Sequence, residues 1–319
     1  MNHGELDRVA STVPPGAGAA VMGTAILSTG MAGVPVPWLS YVLVALAAVL
    51  WLALAALFLT RLFVHRARWV ADADVPASLT GVAGTCVLGT RLSLLGWRTA
   101  SMALLALAAV LWLVLLPLVL AHWSTPTVGA SFLLCVSTQA LAVLTASVGI
   151  VTGLRGLAVV AGVLFVAGLV AYAAVLVTFD FRQVARGVGD HWVAGGALAI
   201  STLAATKLLL AAGLLGVPAD VLRPTALVLC GLAGAWYLVL AVAEASWRRP
   251  HYDVRRWSTV FPLGMTATAC INLGLAAGIS AVHTVGQVLI WPALAVWAVV
   301  AYGAAGHLHR AALDVRGAP

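Results

Sequence analysis

Several stretches of this sequence run for 20 residues or more without a charged side chain. A helix of ~20 residues crosses the ~30 Å hydrocarbon layer of a bilayer. Water cannot solvate so much apolar surface, and one globular core cannot hide it. Only 8% of the residues are charged and 63% are hydrophobic, where a soluble domain carries about 25% charged residues. The chain therefore reads as an all-α integral membrane protein.

Apolar runs and their breakers predict ten transmembrane helices, over residues 14–33, 38–63, 76–96, 99–122, 128–153, 156–179, 191–216, 222–246, 257–281 and 284–306. The third is the least regular, since it holds Arg91 and many hydroxyls. Residues 14–306 form the expected membrane domain, flanked by short tails over 1–13 and 307–319. The first tail is polar, with Glu5 and Asp7, so the first apolar segment reads as a retained helix and not a cleaved signal. Twelve arginines fall on the side that holds both termini and four on the other. Lys207 lies within a span, which accounts for all 17 basic residues. The richer side is expected to be cytoplasmic, in a cell membrane. Links on the outer side are short and those on the inner side longer, so the chain reads as five helical hairpins.

The two helices of each hairpin differ in chemistry. Gly16, Gly18, Gly23, Gly30 and Gly33 crowd the first span, and Gly81, Gly84 and Gly89 the third, whereas the second and fourth have none. Tryptophans inside spans (Trp51, Trp112, Trp236, Trp291 and Trp297) all fall on even-numbered helices. Small residues allow close helix approach. The odd helices are therefore expected to form an inner ring, and the even ones a lipid-facing ring.

Residues seven apart lie nearly on one helix face. Ser131, Thr138, Thr145 and Thr152 form such a stripe, and so do Gly16, Gly23 and Gly30. Each stripe either lines a path, offering weak repeated hydrogen bonds and little bulk, or packs closely against a neighbour with its hydroxyls bonded to their own backbone. Lys207 shares a face with Gly196, Ile200, Leu203 and Ala204, and Arg91 with Thr80 and Gly84. No Asp or Glu lies near the centre of any span. Bases without acids favour anions over cations along a path. The plainer account has both side chains snorkelling toward the outer surface. In the ninth span Phe261, Gly264, Met265 and Thr268 share a face, beside Pro262. A ring beside glycine at a bend suits a steric gate, and equally a packed core phenylalanine.

Other chemistry has little support. Cys86, Cys135, Cys230 and Cys270 lie singly in apolar spans and are expected to be packed, binding no metal. The net charge of +7 comes from bases beside apolar spans, which is a topology signal and not a nucleic-acid footprint. His122, His191, His283 and His307 sit near helix ends, poorly placed to ligate haem within the bundle. No nucleophile–base or carboxylate pair suggests an enzyme, and no cofactor is expected.

Three segments resemble the tellurite-resistance/dicarboxylate transporter family, which includes the slow anion channels. They are Pro15 through Ser28, His191 through Ser201, and Trp257-Ser258-Thr259-Val260-Phe261-Pro262-Leu263-Gly264. The chain departs from the family pattern at Ser258, where a second tryptophan is frequent, and at Ala17–Ala19, where an aromatic is found. The resemblance implies five hairpins in quasi-fivefold order around a central pore, a homotrimer with one pore per subunit, and Phe261 in the place of the pore-occluding phenylalanine. The resulting expectation is passive conduction of small anions such as chloride or nitrate. Gly16, Gly23, Gly30, Thr80, Gly84, Ser131, Thr138, Thr145, Gly196, Gly264 and Thr268 would line the pore, and Lys207 and Arg91 would attract the anion. The alternative is coupled transport of dicarboxylate, sulfite or tellurite-type anions. That would require a midplane site and a coupling ionisable group, for which Lys207 is the candidate.

Overall fold

A computed structural model describes residues 13–247 and 252–317. The expected N-terminal tail, apart from Val13, lies outside the described residues, as do Arg8, Arg248, Arg249 and residues 318–319. Ten principal helices follow the expected order: α1 (Gly18–Met31), α2 (Pro37–Val64), α3 (Leu79–Leu94), α4 (Arg98–Ala121), α5 (Leu133–Thr152), α6 (Arg155–Val177), α7 (Trp192–Leu210), α8 (Ala219–Ser246), α9 (Trp257–Ala277) and α10 (Ser280–Gly317). Short helical segments join them. Among the described residues the only β-type pairing is an isolated bridge, Thr127 to Phe179.

Eight of these helices are long and apolar enough to cross a membrane. The other two, α1 and α3, have 14 and 16 residues, each preceded by a 3-10 turn that starts at a proline, Pro15–Ala17 and Pro76–Ser78. Both are buried along almost their whole length. A helix that never meets lipid need not match the hydrocarbon thickness, which explains why the inner helices are the short ones. α10 runs on past the expected span end at residue 306 to Gly317, because no glycine or proline interrupts residues 307–316.

Burial separates the helices as their composition predicts. Over their most apolar 18 residues, α5, α7 and α9 are 78–94% buried, and α2, α4, α6, α8 and α10 only 17–28%. The inner helices pack side to side in the order α1, α3, α5, α7, α9 and back to α1, so they close into a ring. Each even helix packs outside its hairpin partner. Glycine sets the spacing. A Cβ on Gly18 of α1 would lie 2.7 Å from the Thr80 backbone, and one on Gly274 of α9 would collide with the His283 backbone. α5 and α9 end at Gly153 and Gly278, whose φ values of 72° and 68° form left-handed C-caps.

Tryptophans on outer helices latch successive hairpins. Trp51 Nε1 of α2 donates to Thr85 Oγ1 of α3 at 2.9 Å, and Trp112 of α4 to Thr138 of α5 at 3.1 Å. Trp297 of α10 donates to Thr24 of α1 at 2.9 Å and so helps close the ring. Ion pairs tie the end that carries most arginines. Arg61 meets Asp72 at 2.7 Å, and Arg256 meets Glu244 at 3.0 Å. The same Glu244 accepts from Trp192 Nε1 at 3.1 Å, linking the start of α7 to the end of α8 and the start of α9.

Candidate functional site

The ring interior is the natural place to look for a path. Which side chains face it follows from helical phase, at about 100° per residue, once the neighbours of each helix are fixed. On α9, Gly264 faces Ile26 and Leu27 of α1, while Pro262 faces Gly196 of α7. Phe261, Met265 and Asn272 lie between those two directions and turn inward. On α7, Gly195 faces Trp236 and Leu240 of α8, Gly196 faces α9, and Ser201 approaches Cys135 of α5. Lys207 follows Gly196 by eleven residues, which returns it to within about 20° of the same direction. By the same reasoning Met22 and Thr29 of α1, Ala83 and Thr90 of α3, and Ala140 and Ser147 of α5 point inward.

Phe261 is 2% exposed and packs in one apolar cluster with Met22, Ala140, Ile200 and Met265. Its ring meets α7 where α7 has no side chain. A Cβ on Gly196 would lie 3.3 Å from Phe261 Cε1 and only 2.8 Å from Pro262 Cγ. The helix runs unbroken through Pro262, and Thr266 Oγ1 donates to the Pro262 carbonyl at 2.9 Å.

The two buried bases, alike in sequence, have different surroundings. Arg91 donates from Nε to Ser28 Oγ at 3.1 Å and from Nη2 to Ser40 Oγ at 2.8 Å. Those serines also exchange hydrogen bonds with each other's carbonyls, at 2.7 and 2.6 Å. Arg91 therefore bolts α3 to α1 and α2, which accounts for its burial without snorkelling. Lys207 is 5% exposed. Among the described residues it has neither an ion-pair nor a side-chain hydrogen-bond partner.

Most of the other expected lining residues sit at helix–helix contacts, a correction to the stripe reading. Gly23 is filled by Val260, and Gly30 by Ile290 and Thr268, while Gly16 approaches Ala77. Gly84 faces Val21 and the Gly18 carbonyl, and Thr80 meets the space above Gly18, so that face of α3 serves α1. Gly264 likewise faces α1, and Thr268 donates to the Ile26 carbonyl at 3.2 Å. Thr138 accepts the Trp112 latch, so its stripe turns outward toward α4. Thr145 on that stripe donates to the Leu141 carbonyl at 2.7 Å. Ser131 accepts from Val128 N–H at 3.2 Å in the turn that starts α5. The glycines sit where two helices approach closely, and the hydroxyls are taken up by hydrogen bonds to a neighbouring indole or to the backbone.

Sequence reasoning passed over the polar side chains that do turn inward toward the C-terminal ends of the ring helices: Thr29, Thr90, Ser147 and Asn272. Each follows an inward apolar residue by seven (Met22, Ala83, Ala140 and Met265), and Lys207 follows Ile200 likewise. That signal was available, but it becomes readable only once the neighbours of each helix are known. These four histidines make separate contacts. His191 Nδ1 accepts from Gly189 N–H at 3.0 Å, His283 Nδ1 meets the Ile271 carbonyl at 3.2 Å, His122 lies 3.7 Å from Asp74, and His307 packs against Tyr252. Among the described residues no group of three or more His, Cys, Asp or Glu could hold a metal.

A protein-family model described as SLAC1, voltage-dependent anion channel, matches residues 12–305. The chain belongs to this family. It is a multi-pass membrane protein whose matched region takes in all of the ring helices. It is also 34% identical over 125 residues to an uncharacterized membrane protein of Mycobacterium tuberculosis, Rv1735c in strain H37Rv and MT1776 in strain CDC 1551. That match covers 37% of this chain and 64% of those relatives' length.

Proposed function

We propose that this chain conducts small anions of the chloride or nitrate type, passively, along the axis of the five-helix ring, with Phe261 closing the path. The observation that carries this reading is the Phe261–Gly196 pair. A bulky ring is held against α7 at Gly196, a position without a side chain, and Lys207 farther along the same helix is a buried base with no ion-pair partner among the described residues. Apolar surface around Phe261 excludes water and gates by dewetting, and the inward hydroxyls and amides farther out offer many weak sites. Conduction of that kind needs no coupling carboxylate. The reading includes a quasi-fivefold pore, a homotrimer with one pore per subunit, and both chain ends in the cytoplasm.

Removing the ring tests it. Phe261→Ala leaves a void on the path and is expected to raise anion current in planar bilayers at least tenfold over the wild type. That current should persist without a proton gradient and reverse at the anion equilibrium potential. Unchanged current from well-folded Phe261→Ala protein overturns the gate. A reversal potential that follows the proton gradient overturns passive conduction.

A further inference from the structure

Two thiols meet where α8 packs on α9. Cys230 Sγ and Cys270 Sγ lie 3.7 Å apart, and either can donate to the other. Both are free thiols. A disulfide holds its sulfurs about 2.05 Å apart, so closing the 3.7 Å gap takes under ~1 Å of movement from each. The other two cysteines are placed differently. Cys86 and Cys135 are fully buried, and Cys135 Sγ approaches a hydroxyl, Ser201 Oγ at 3.9 Å.

The pair is asymmetric. Cys270 is buried on an inner helix, whereas Cys230 is half-buried on α8, a helix that faces lipid. Val228 and Leu232 beside Cys230 are exposed, and Gly231 and Gly234 have nothing within 4 Å of where a Cβ would sit. Gly234 follows Cys230 by four residues and shares its face, so no side chain of α8 screens Cys230 on that side. Cys270 stands seven residues before the end of α9 at Ala277, and Cys230 eleven after the start of α8 at Ala219. Those separations amount to ~10 and ~16 Å along the helices. In a multi-pass membrane protein such depths belong to the hydrocarbon layer, ~30 Å thick. An oxidant that reaches Cys230 from outside must therefore dissolve in lipid.

We propose that Cys230 and Cys270 are a disulfide-forming pair, oxidised by an apolar hydroperoxide that arrives from the bilayer at Cys230. The Cys230 sulfur attacks the terminal peroxide oxygen and the O–O bond breaks. The thiol proton passes to the departing alkoxide, which leaves an alcohol and a sulfenic acid on Cys230. The Cys270 sulfur then attacks the Cys230 sulfur. The S–O bond breaks, and the hydroxide leaves as water with the Cys270 proton. Two thiols thus lose two electrons to one peroxide. Cys270 resolves the sulfenic acid from within the protein, where no water-soluble thiol has to enter. The product staples α9 to α8 between residues 40 apart in sequence.

Thiol counting on the full chain in liposomes tests the proposal. The protein is treated with cumene hydroperoxide, then unfolded in SDS with N-ethylmaleimide. Two of the four thiols should become unreactive, and dithiothreitol should restore both. Proteolysis should yield a peptide that joins the segments holding Cys230 and Cys270, with Cys86 and Cys135 alkylated. Dimedone, which captures sulfenic acids, separates the two steps. It should label Cys230 in Cys270→Ser protein and leave Cys270 unlabelled in Cys230→Ser protein. Four reactive thiols after treatment overturn the proposal, as does a link that joins two chains or includes Cys86 or Cys135. Dimedone on Cys270 in Cys230→Ser protein overturns Cys230 as the attacking sulfur. The wild-type thiol count and peptide decide the pairing if a serine variant does not fold.

Discussion

Lys207→Met separates a lysine that serves the permeating anion from one that serves the fold, because the two roles predict opposite signs. Lys207 is 5% exposed, with no ion-pair or side-chain hydrogen-bond partner among the described residues. It lies three residues from the end of α7 at Leu210, about 5 Å along the helix. A charge at a helix centre in a bilayer costs ~2.5–3.5 kcal/mol, and less toward the ends. Replacing it by an apolar side chain of similar length should therefore raise stability by about 1–2 kcal/mol. An anion passing ~6 Å away gains ~1.4–2.8 kcal/mol for an effective dielectric of 40 down to 20. That corresponds to a roughly 10- to 100-fold higher local occupancy.

The measurement belongs in a Phe261→Ala background, where the proposed path would be open. In a tenfold potassium chloride gradient, Lys207→Met should shift the reversal potential toward that of potassium and lower the conductance, while Lys207→Arg keeps both near the parent values. Thermal unfolding of purified protein should show Lys207→Met as the more stable. Unaltered selectivity together with lower stability would refute the reasoning, since it would make the lysine a structural element whose partners hold it in place, as Ser28 and Ser40 hold Arg91.

Two further outcomes follow from packing. Gly196→Ala places a Cβ 2.8 Å from Pro262 Cγ, which should destabilise by about 1–3 kcal/mol in thermal unfolding. Pro262→Ala should restore part of that loss, because Pro262 supplies the nearest atom. Trp112→Phe removes one latch and should cost ~0.6 kcal/mol, typical of interhelical hydrogen bonds in membranes. A double-mutant cycle with Thr138→Val should return a coupling energy of the same size.

Composition alone separated inner from outer helices. Glycine, serine and threonine concentrate where backbones approach, and that signal survives in one dimension because a whole helix either meets lipid or does not. The direction in which each small residue points did not survive. Gly23, Gly84 and Thr138 look like a lining in sequence, yet each is consumed by a neighbour: Val260, Val21 and Trp112. A heptad stripe identifies a face, and only the packing partner identifies what the face meets. The same limit hid the approach of Cys230 to Cys270, 3.7 Å apart across α8 and α9 though 40 residues apart in sequence. It also hid the difference between Arg91 and Lys207, since hydrogen-bond partners lie on other helices.

Donor accounting explains how such a ring could pass anions without holding them. Thr29, Thr90 and Ser147 turn inward, but each hydroxyl proton is already given to a carbonyl one turn back: Ala25 at 3.0 Å, Cys86 at 2.9 Å and Val143 at 2.7 Å. These oxygens then face the interior as acceptors, which repel an anion unless the hydroxyl rotates and gives up its backbone bond. Asn272 has spent one amide proton on the Thr268 carbonyl at 2.9 Å and keeps a second. Firm donation therefore falls to Asn272 and Lys207, near the C-terminal ends of α9 and α7, while the middle of the ring, around Met22, Ala140, Ile200, Phe261 and Met265, is apolar. On the proposed reading an anion drawn in by Lys207 would meet a dry barrier two to three turns deeper, with no firmer donor beyond the lysine among the described residues. Under this arrangement opening depends on displacement of Phe261 and the anion preference depends on Lys207. The two variants should then act on separate readouts: Phe261→Ala on current amplitude, and Lys207→Met on reversal potential.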